Sequence, residues 1–332
     1  MIKVGTASAE KGAIGKGFLK IGEMSVHSDL LIPVLIVNGK KDGPTLWIAG
    51  TVHGDEISGF MPVREVGLGL DPEKLSGTLI CTPLCNPLAT QHRQKGNPFD
   101  SLDLDQQFPG FPDRSYSERL AYLLFREIKE KANYLISFHT VRVWSKTVPY
   151  TVYKMVGGVK PEINQETERI ARIFGNYAHT KVDISTAKGE LAGQGAGALD
   201  VQCILHGIPA FMVELGTGDR FEDDTITIGV RGIKNVMKYL KMVPGEPELP
   251  GKQLAITKRR FLYSNRGGFM IMDAKPGDIV RKGERIAHVV DLFSELEVFE
   301  AKEDSFIILG RIGPIIHTGD TFSVIGTEWH EM

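Results

Sequence analysis

The sequence predicts an α/β fold, a sheet flanked by helices and followed by a small all-β C-terminal module, and three observations carry that expectation. Up to about residue 243, apolar runs of strand length alternate with amphipathic helical stretches, the pattern of a sheet covered on both faces. The stretch Val243-Pro244-Gly245-Glu246-Pro247-Glu248-Leu249-Pro250-Gly251 then has no period and reads as a linker. Beyond it, short runs at close spacing are separated by the turns Gly267-Gly268, Lys275-Pro276-Gly277-Asp278, Arg281-Lys282-Gly283 and His317-Thr318-Gly319-Asp320. The expected division is a domain over residues 1–243 and a β-rich module over 251–332.

In chain order, Phe18-Leu19-Lys20-Ile21 and Leu31 to Val37 are the clearest early strands. Asn38-Gly39 and Asp42-Gly43-Pro44 turn the chain into the apolar run Thr45 to Gly50. After Glu56, the residues Ile57, Phe60, Met61 and Val66 favour a helix, with Pro62 acceptable only in its first turns. Thr78 to Pro83 is the next strand. A long polar stretch from Asn86 to Pro112 has no usable period, and loops of that length tend to be functional. Ser115-x-x-Glu118 is a capping box ahead of the helical stripe Leu120, Leu123, Leu124 and Ile128. Strands are expected over Asn133 to Thr140, Tyr150 to Val156 and Ile208 to Val213, the last ending at Glu214. Helices are expected over Glu162 to Tyr177, Leu199 to His206 and about Ile228 to Met242, with a mobile flap over residues 188–198.

Composition narrows the function. A net charge of -2 gives no field to recruit nucleic acid or acidic membranes, and no run approaches the 18 apolar residues of a membrane span. Cys81, Cys85 and Cys203 do not make a disulfide framework, and the N-terminus has no long apolar segment. The expected location is the cytoplasm, with a small molecule as partner and a homo-oligomer left open.

The chemistry gathers at three strand exits. His53 and Glu56, three residues apart at the end of the Thr45–Gly50 run, are placed to turn toward one point. On those residues alone, a turn histidine and a helix-start acid account for them equally well. His139 closes Leu135-Ile136-Ser137-Phe138, and Glu214 closes Phe211-Met212-Val213. In open α/β sheets, ligands sit beyond the carboxyl ends of the strands. Two histidines and a carboxylate leave zinc an open position, the arrangement of a catalytic site, and Glu214 would be the unliganded carboxylate that moves the proton.

With these residues in place, the chain resembles the succinylglutamate desuccinylase/aspartoacylase family of zinc carboxypeptidase-like enzymes. The resemblance rests on Gly50-Thr51-Val52-His53-Gly54-Asp55-Glu56, Asn86-Pro87, Asp103-Leu104 with Phe108-Pro109-Gly110, Ser137-Phe138-His139 and Val213-Glu214-Leu215-Gly216. It spans nearly the whole chain. It implies a zinc-carboxypeptidase-like mixed sheet, zinc held by His53, Glu56 and His139, Glu214 as general base, and hydrolysis of a small N-acyl amide.

Two places depart from the family pattern. Lys95 stands where the family has an Arg nine residues after the Asn of Asn-Pro, with Arg93 two residues away. Asp105-Gln106 stands where the family has an Asn-Arg pair that holds a substrate carboxylate. Lys95 or Arg93 is therefore the expected group on the scissile carbonyl, while Asp105, Gln106 and Asn86 are the expected substrate contacts. A carboxylate facing Asp105 would be repelled, so the expected substrate presents an amine or a neutral group there, as an N-acyl diamino acid or polyamine would. Two rival readings stand beside the deacylase: a carboxypeptidase-type peptidase on short or modified peptides, and a catalytically silent metal- or ligand-binding member of the fold.

Overall fold

The computed structural model describes residues 1–186 and 195–332. A thirteen-stranded mixed sheet forms its spine, with a four-stranded antiparallel sheet near the C-terminus and a two-stranded ribbon at the N-terminus. At the centre of the large sheet, the spatial order is Tyr150–Met155, Ala210–Thr217, Tyr134–Val141, Lys41–Gly50 and Ser76–Thr82. The last four are mutually parallel, and Tyr150–Met155 runs antiparallel to Ala210–Thr217.

The central strands lack polar alternation because both of their faces are covered. In Lys41–Gly50, Trp47 and Ala49 pack with Leu120, Leu124 and Leu199, while Leu46 and Ile48 pack with Val63, Phe174 and Ile233. The helices Tyr116–Lys131 and Leu199–Leu205 thus cover one face, and Phe60–Gly69, Pro161–Ile173 and Asp223–Tyr239 the other. The capping box forms as expected: Glu118 donates its backbone N–H to Ser115 Oγ, and Ser115 donates its own to Glu118 Oε2. Ser115→Ala is expected to cost about 1 kcal/mol. That loss would appear as a lower denaturant midpoint with an unchanged slope.

Several boundaries differ from the sequence expectation. The helix expected to reach Tyr177 ends at Ile173, with Gly175 at φ 87° closing the turn. The final helix of this region begins at Asp223 rather than Ile228. A strand Ala178–Asp183 has no counterpart in the periodicity, because its buried His179 and Thr180 break any apolar run. Glu214 lies inside its strand, which continues to Thr217 through a register shift.

The β module is joined to the large sheet by backbone hydrogen bonds. After the irregular linker, Leu254–Tyr263 pairs in parallel with Ala178–Asp183 and antiparallel with Thr321–Glu331. One apolar cluster contains Tyr150, Val152 and Ala178 together with Ile256, Phe306 and Val324, so the two parts share a core. A second cluster, around Met270, Ile286, Val289 and Phe322, belongs to the module alone. Among the described residues, no helix is long and apolar enough to cross a membrane.

Candidate active site

The sheet topology puts His53, His139 and Glu214 side by side. Their strands are consecutive parallel neighbours, Glu214 is paired in register with His139, and Gly50 with Phe138. The turn that carries His53 is held from several sides. Thr51, a buried β-branched residue, sits at φ 53°, a conformation that persists only where surroundings impose it. Its hydroxyl donates to the Pro83 carbonyl, and its own carbonyl accepts from the Asn86 N–H. Asn86 is fully buried, caps the short helix Pro87–Gln91 and donates from its side chain to the Val52 carbonyl. At Gly54 a Cβ would meet the Ala89 backbone at 2.0 Å, so the next residue after His53 is glycine for want of space.

His53 Nδ1 lies 2.8 Å from Glu56 Oε1, and His139 Nδ1 lies 3.0 Å from Glu56 Oε2. All three side chains are buried, and their ligand atoms lie within 4.8 Å of one another. Each imidazole is held through its other nitrogen: His53 Nε2 by Asp103 Oδ1 at 2.9 Å, His139 Nε2 by the Ser137 hydroxyl at 2.9 Å. Such supports set the tautomer that leaves Nδ1 facing inward. His53 Nδ1, despite its nearness to Glu56, makes no hydrogen bond of acceptable geometry, and Glu214 Oε2 is likewise buried without one. A buried nitrogen left unsatisfied beside a carboxylate and a second imidazole suits a divalent ion, and the donor set is that of a first-row metal with an open position. The group can hold a metal.

Asp103 organises the neighbouring wall. Its Oδ2 accepts from Lys95 Nζ at 2.9 Å and from Gln106 Nε2 at 3.0 Å. Burial alone would raise the Asp103 value, but His53 and Lys95 hold it well below the usual carboxylate range. Burial would lower His53, yet Glu56 and Asp103 lift it to about 10. Burial would raise Glu56, yet the two histidines hold it far below the ordinary glutamate range. Glu214 moves the other way: burial first, then the Glu56 carboxylate, push it up to about 7.

These shifts set a pH dependence for the metal-free chain. A His53 value raised to about 10 means protonated His53 stabilises the fold fully below its unfolded value, and this contribution disappears as pH rises through about 10. The depressed Glu56 stabilises above its ordinary value and loses that effect as pH falls below it. The urea midpoint of metal-stripped protein is therefore expected to be highest in mildly acidic solution, above the ordinary glutamate value and below the ordinary histidine value, and to fall as the pH rises toward 10. A midpoint that climbs over that alkaline interval contradicts the assignment.

The cavity in front of the cluster has a volume of about 310 Å³. His53, Glu56, His139, Glu214, Lys95, Asp105 and Gln106 all line it. Arg93 and Asn86 do not: Arg93 is exposed at φ 49°, and Asn86 is spent on the turn beneath His53. Asp105 also has a structural task, since its Oδ1 accepts the Leu199 N–H at the start of a helix. The flap expected over residues 188–198 lies mostly outside the described residues, although Gly195 and Ala198 reach the lining.

Arg142 and Trp144, which the sequence left equally open as site wall or surface loop, form part of the wall, with the guanidinium 5.4 Å from the indole centroid. Other lining residues escaped the sequence reading. Tyr150 is paired across the sheet with Glu214. Lys154 lies on the floor, its Nζ 2.7 Å from buried Asp200. Arg259, Phe261, Leu309, Thr321 and Val324 come from the C-terminal module. Asp103 had left a sequence signal, as the first residue of Asp-Leu in the long polar loop.

Comparison with known proteins gives a consistent answer. The profile of the succinylglutamate desuccinylase/aspartoacylase catalytic domain matches residues 42–240. The chain is 25% identical over 333 residues to an N-alpha-acetyl-L-2,4-diaminobutyric acid deacetylase of Halomonas elongata, covering 96% of this chain and 93% of that one. Its fold superposes on the product-bound ectoine utilization protein EutE of Ruegeria pomeroyi with a TM-score of 0.85 at 22% identity, covering 98% and 100% of the two chains. It superposes on a succinylglutamate desuccinylase/aspartoacylase of Rhodobacter sphaeroides with a TM-score of 0.82 at 22% identity, covering 97% and 99%.

Proposed function

This chain belongs to the succinylglutamate desuccinylase/aspartoacylase family of amide carbon–nitrogen hydrolases, and on that premise we propose that it is a zinc-dependent deacylase of an N-acylated diamino acid. The observation that carries the proposal is the row His139–Glu214, paired in register, beside the His53/Glu56/His139 ligand set at the mouth of one small cavity. A volume of about 310 Å³ is at the lower end for ligand sites and suits a small N-acyl molecule better than a peptide. The relative from Halomonas elongata, by its name, removes an acetyl group from a diamino acid.

His53, Glu56 and His139 would hold the zinc ion, which when bound supplies Lewis acidity toward a water and an acyl oxygen. Glu214, raised to about 7, accepts a proton from the attacking water and returns it to the departing nitrogen. Lys95, fixed by Asp103 on the cavity wall, steadies the negative charge that gathers on the acyl oxygen. Asp105, whose Oδ1 is anchored on Leu199, offers its carboxylate to the substrate's second ammonium, with Gln106 beside it.

The test is turnover by the zinc-loaded chain of N-acetyl derivatives of diamino acids against those of neutral and acidic amino acids. The diamino acid derivative is expected to be the best substrate. Asp105→Asn, which keeps an acceptor for the Leu199 N–H, is expected to raise its KM about tenfold. A diamino acid derivative turned over no better than N-acetylaspartate, with Asp105→Asn silent, overturns the substrate assignment.

A further inference from the structure

We propose that the outer face of the four-stranded sheet in the C-terminal module is the surface on which two copies of this chain join. That sheet runs, in spatial order, Glu295–Glu300, Arg285–Val290, Gly268–Met272 and Ile315–Ile316. Successive residues of a strand alternate between its two faces. Met270 and Val289, paired in register, turn inward and are buried in the module's own core with Ile286 and Phe322. The neighbouring row, Val290, Phe269 and Ile315, faces the other way, and Ile271 lies on the same side. These four residues stand apart from the lining of the active-site cavity.

At the end of that row, Arg285–Val290 turns into Glu295–Glu300 through Asp291 to Ser294, and Leu292 and Phe293 at the tip are 86% and 89% exposed. The tip is a fixed turn. Asp291 Oδ1 accepts the backbone N–H of Phe293 and of Ser294, each at 2.8 Å, and the Asp291 N–H donates to the Ser294 carbonyl. Phe269, Ile271 and Ile315 are 54%, 46% and 60% exposed. The five side chains together present on the order of 600 Å² of apolar surface, the upper end of what a monomer leaves to water. A standard interface takes about 800 Å² from each partner, so this face with its rim suffices for a stable pair.

A second copy is the occupant that area and charge favour. Arg285 is paired with Glu295 at 2.6 Å, His288 with Asp273 at 2.8 Å and Arg311 with Asp320 at 3.4 Å, all within the chain. A two-fold axis brings each charge toward its own image, which costs little where the charge is already balanced by a neighbour. The centre of the face is apolar, as homodimer interfaces are to a greater degree than transient ones. Two sheets of this kind pack face to face about 10 Å apart. The row Val290–Phe269–Ile315 spans two strand spacings, about 10 Å, with the tip beyond Val290. An axis parallel to the strands through the middle of that row sets Phe293 of one copy against Ile315 of the other, and the reverse.

The experiment reads the mass of the full chain in solution by sedimentation, with the Phe293→Asp and Ile315→Asp variants beside it. The unaltered chain is expected to be a dimer with a Kd below about 1 μM. Each substitution is expected to weaken it at least about thirtyfold, because each puts a charge into the centre of an apolar contact. Both side chains are largely exposed in the single chain, so the variants keep its fold. The double variant Phe293→Cys/Ile315→Cys is expected to give a covalent dimer on treatment with a short thiol cross-linker. Within one chain the two positions are too far apart for a disulfide, and Cys81, Cys85 and Cys203 are buried. A chain that stays monomeric at about 100 μM overturns the proposal and leaves the face to a different protein. A dimer that survives Asp at both positions overturns it too, since its interface lies elsewhere. A dimer that dissociates with Asp yet yields no cross-linked species contradicts the two-fold pairing and overturns it as well.

Discussion

Glu214→Gln is expected to lower kcat by roughly 10²–10⁴-fold while zinc content and fold stay unchanged. The substitution keeps the size of the side chain and removes its capacity to take a proton. Glu214 is held in a position where that capacity matters: burial and the neighbouring Glu56 carboxylate raise it to about 7, so it exchanges a proton near neutrality. Its Oε2 is buried with no hydrogen-bond partner and lines the cavity, which leaves it available to a water in front of the cluster. The measurement is kcat at saturating N-acyl substrate, with metal stoichiometry on the same sample. A variant that keeps its zinc and loses less than about tenfold in kcat would remove Glu214 from the role of general base.

His139→Ala is expected to weaken metal binding by more than about a hundredfold, since even the loss of a group supporting a ligand costs 10–100-fold. The imidazole faces Glu56 through Nδ1 and is fixed by the Ser137 hydroxyl through Nε2, so no other side chain can take its place. Its removal would leave Glu56 Oε2 with the Thr140 N–H as its remaining backbone partner. The expected result is loss of zinc on dialysis against a mild chelator that the unaltered chain resists, with activity lost in parallel. Full zinc retention would mean that the ligand set lies elsewhere.

Much of the site was legible because it is local. His53 and Glu56 are three residues apart on one turn, and that turn follows an apolar run whose character comes from burial on both sheet faces. The capping box at Ser115 and Glu118 is likewise a matter of four consecutive residues, and it forms as the spacing predicts. His139 and Glu214 were recognisable as polar residues closing apolar strands. The strand Ala178–Asp183 was not recognisable, because its pairing partners bury polar side chains that read as loop.

The sequence by itself determined the elements, the candidate ligands and the alternation that makes an α/β sheet, since periodicity and turn chemistry act over a few residues. The tertiary structure decided which of those residues share a cavity. It placed Lys95 on the wall and Arg93 in solvent, spent Asn86 on the His53 turn, and made Asp103 the support for both His53 and Lys95. It also carried Arg259 from the C-terminal module into the cavity that His53, His139 and Glu214 line. The physical reason is that strand order and register are properties of pairing between distant segments. A shift of one residue turns a side chain from solvent to cavity without altering any local pattern.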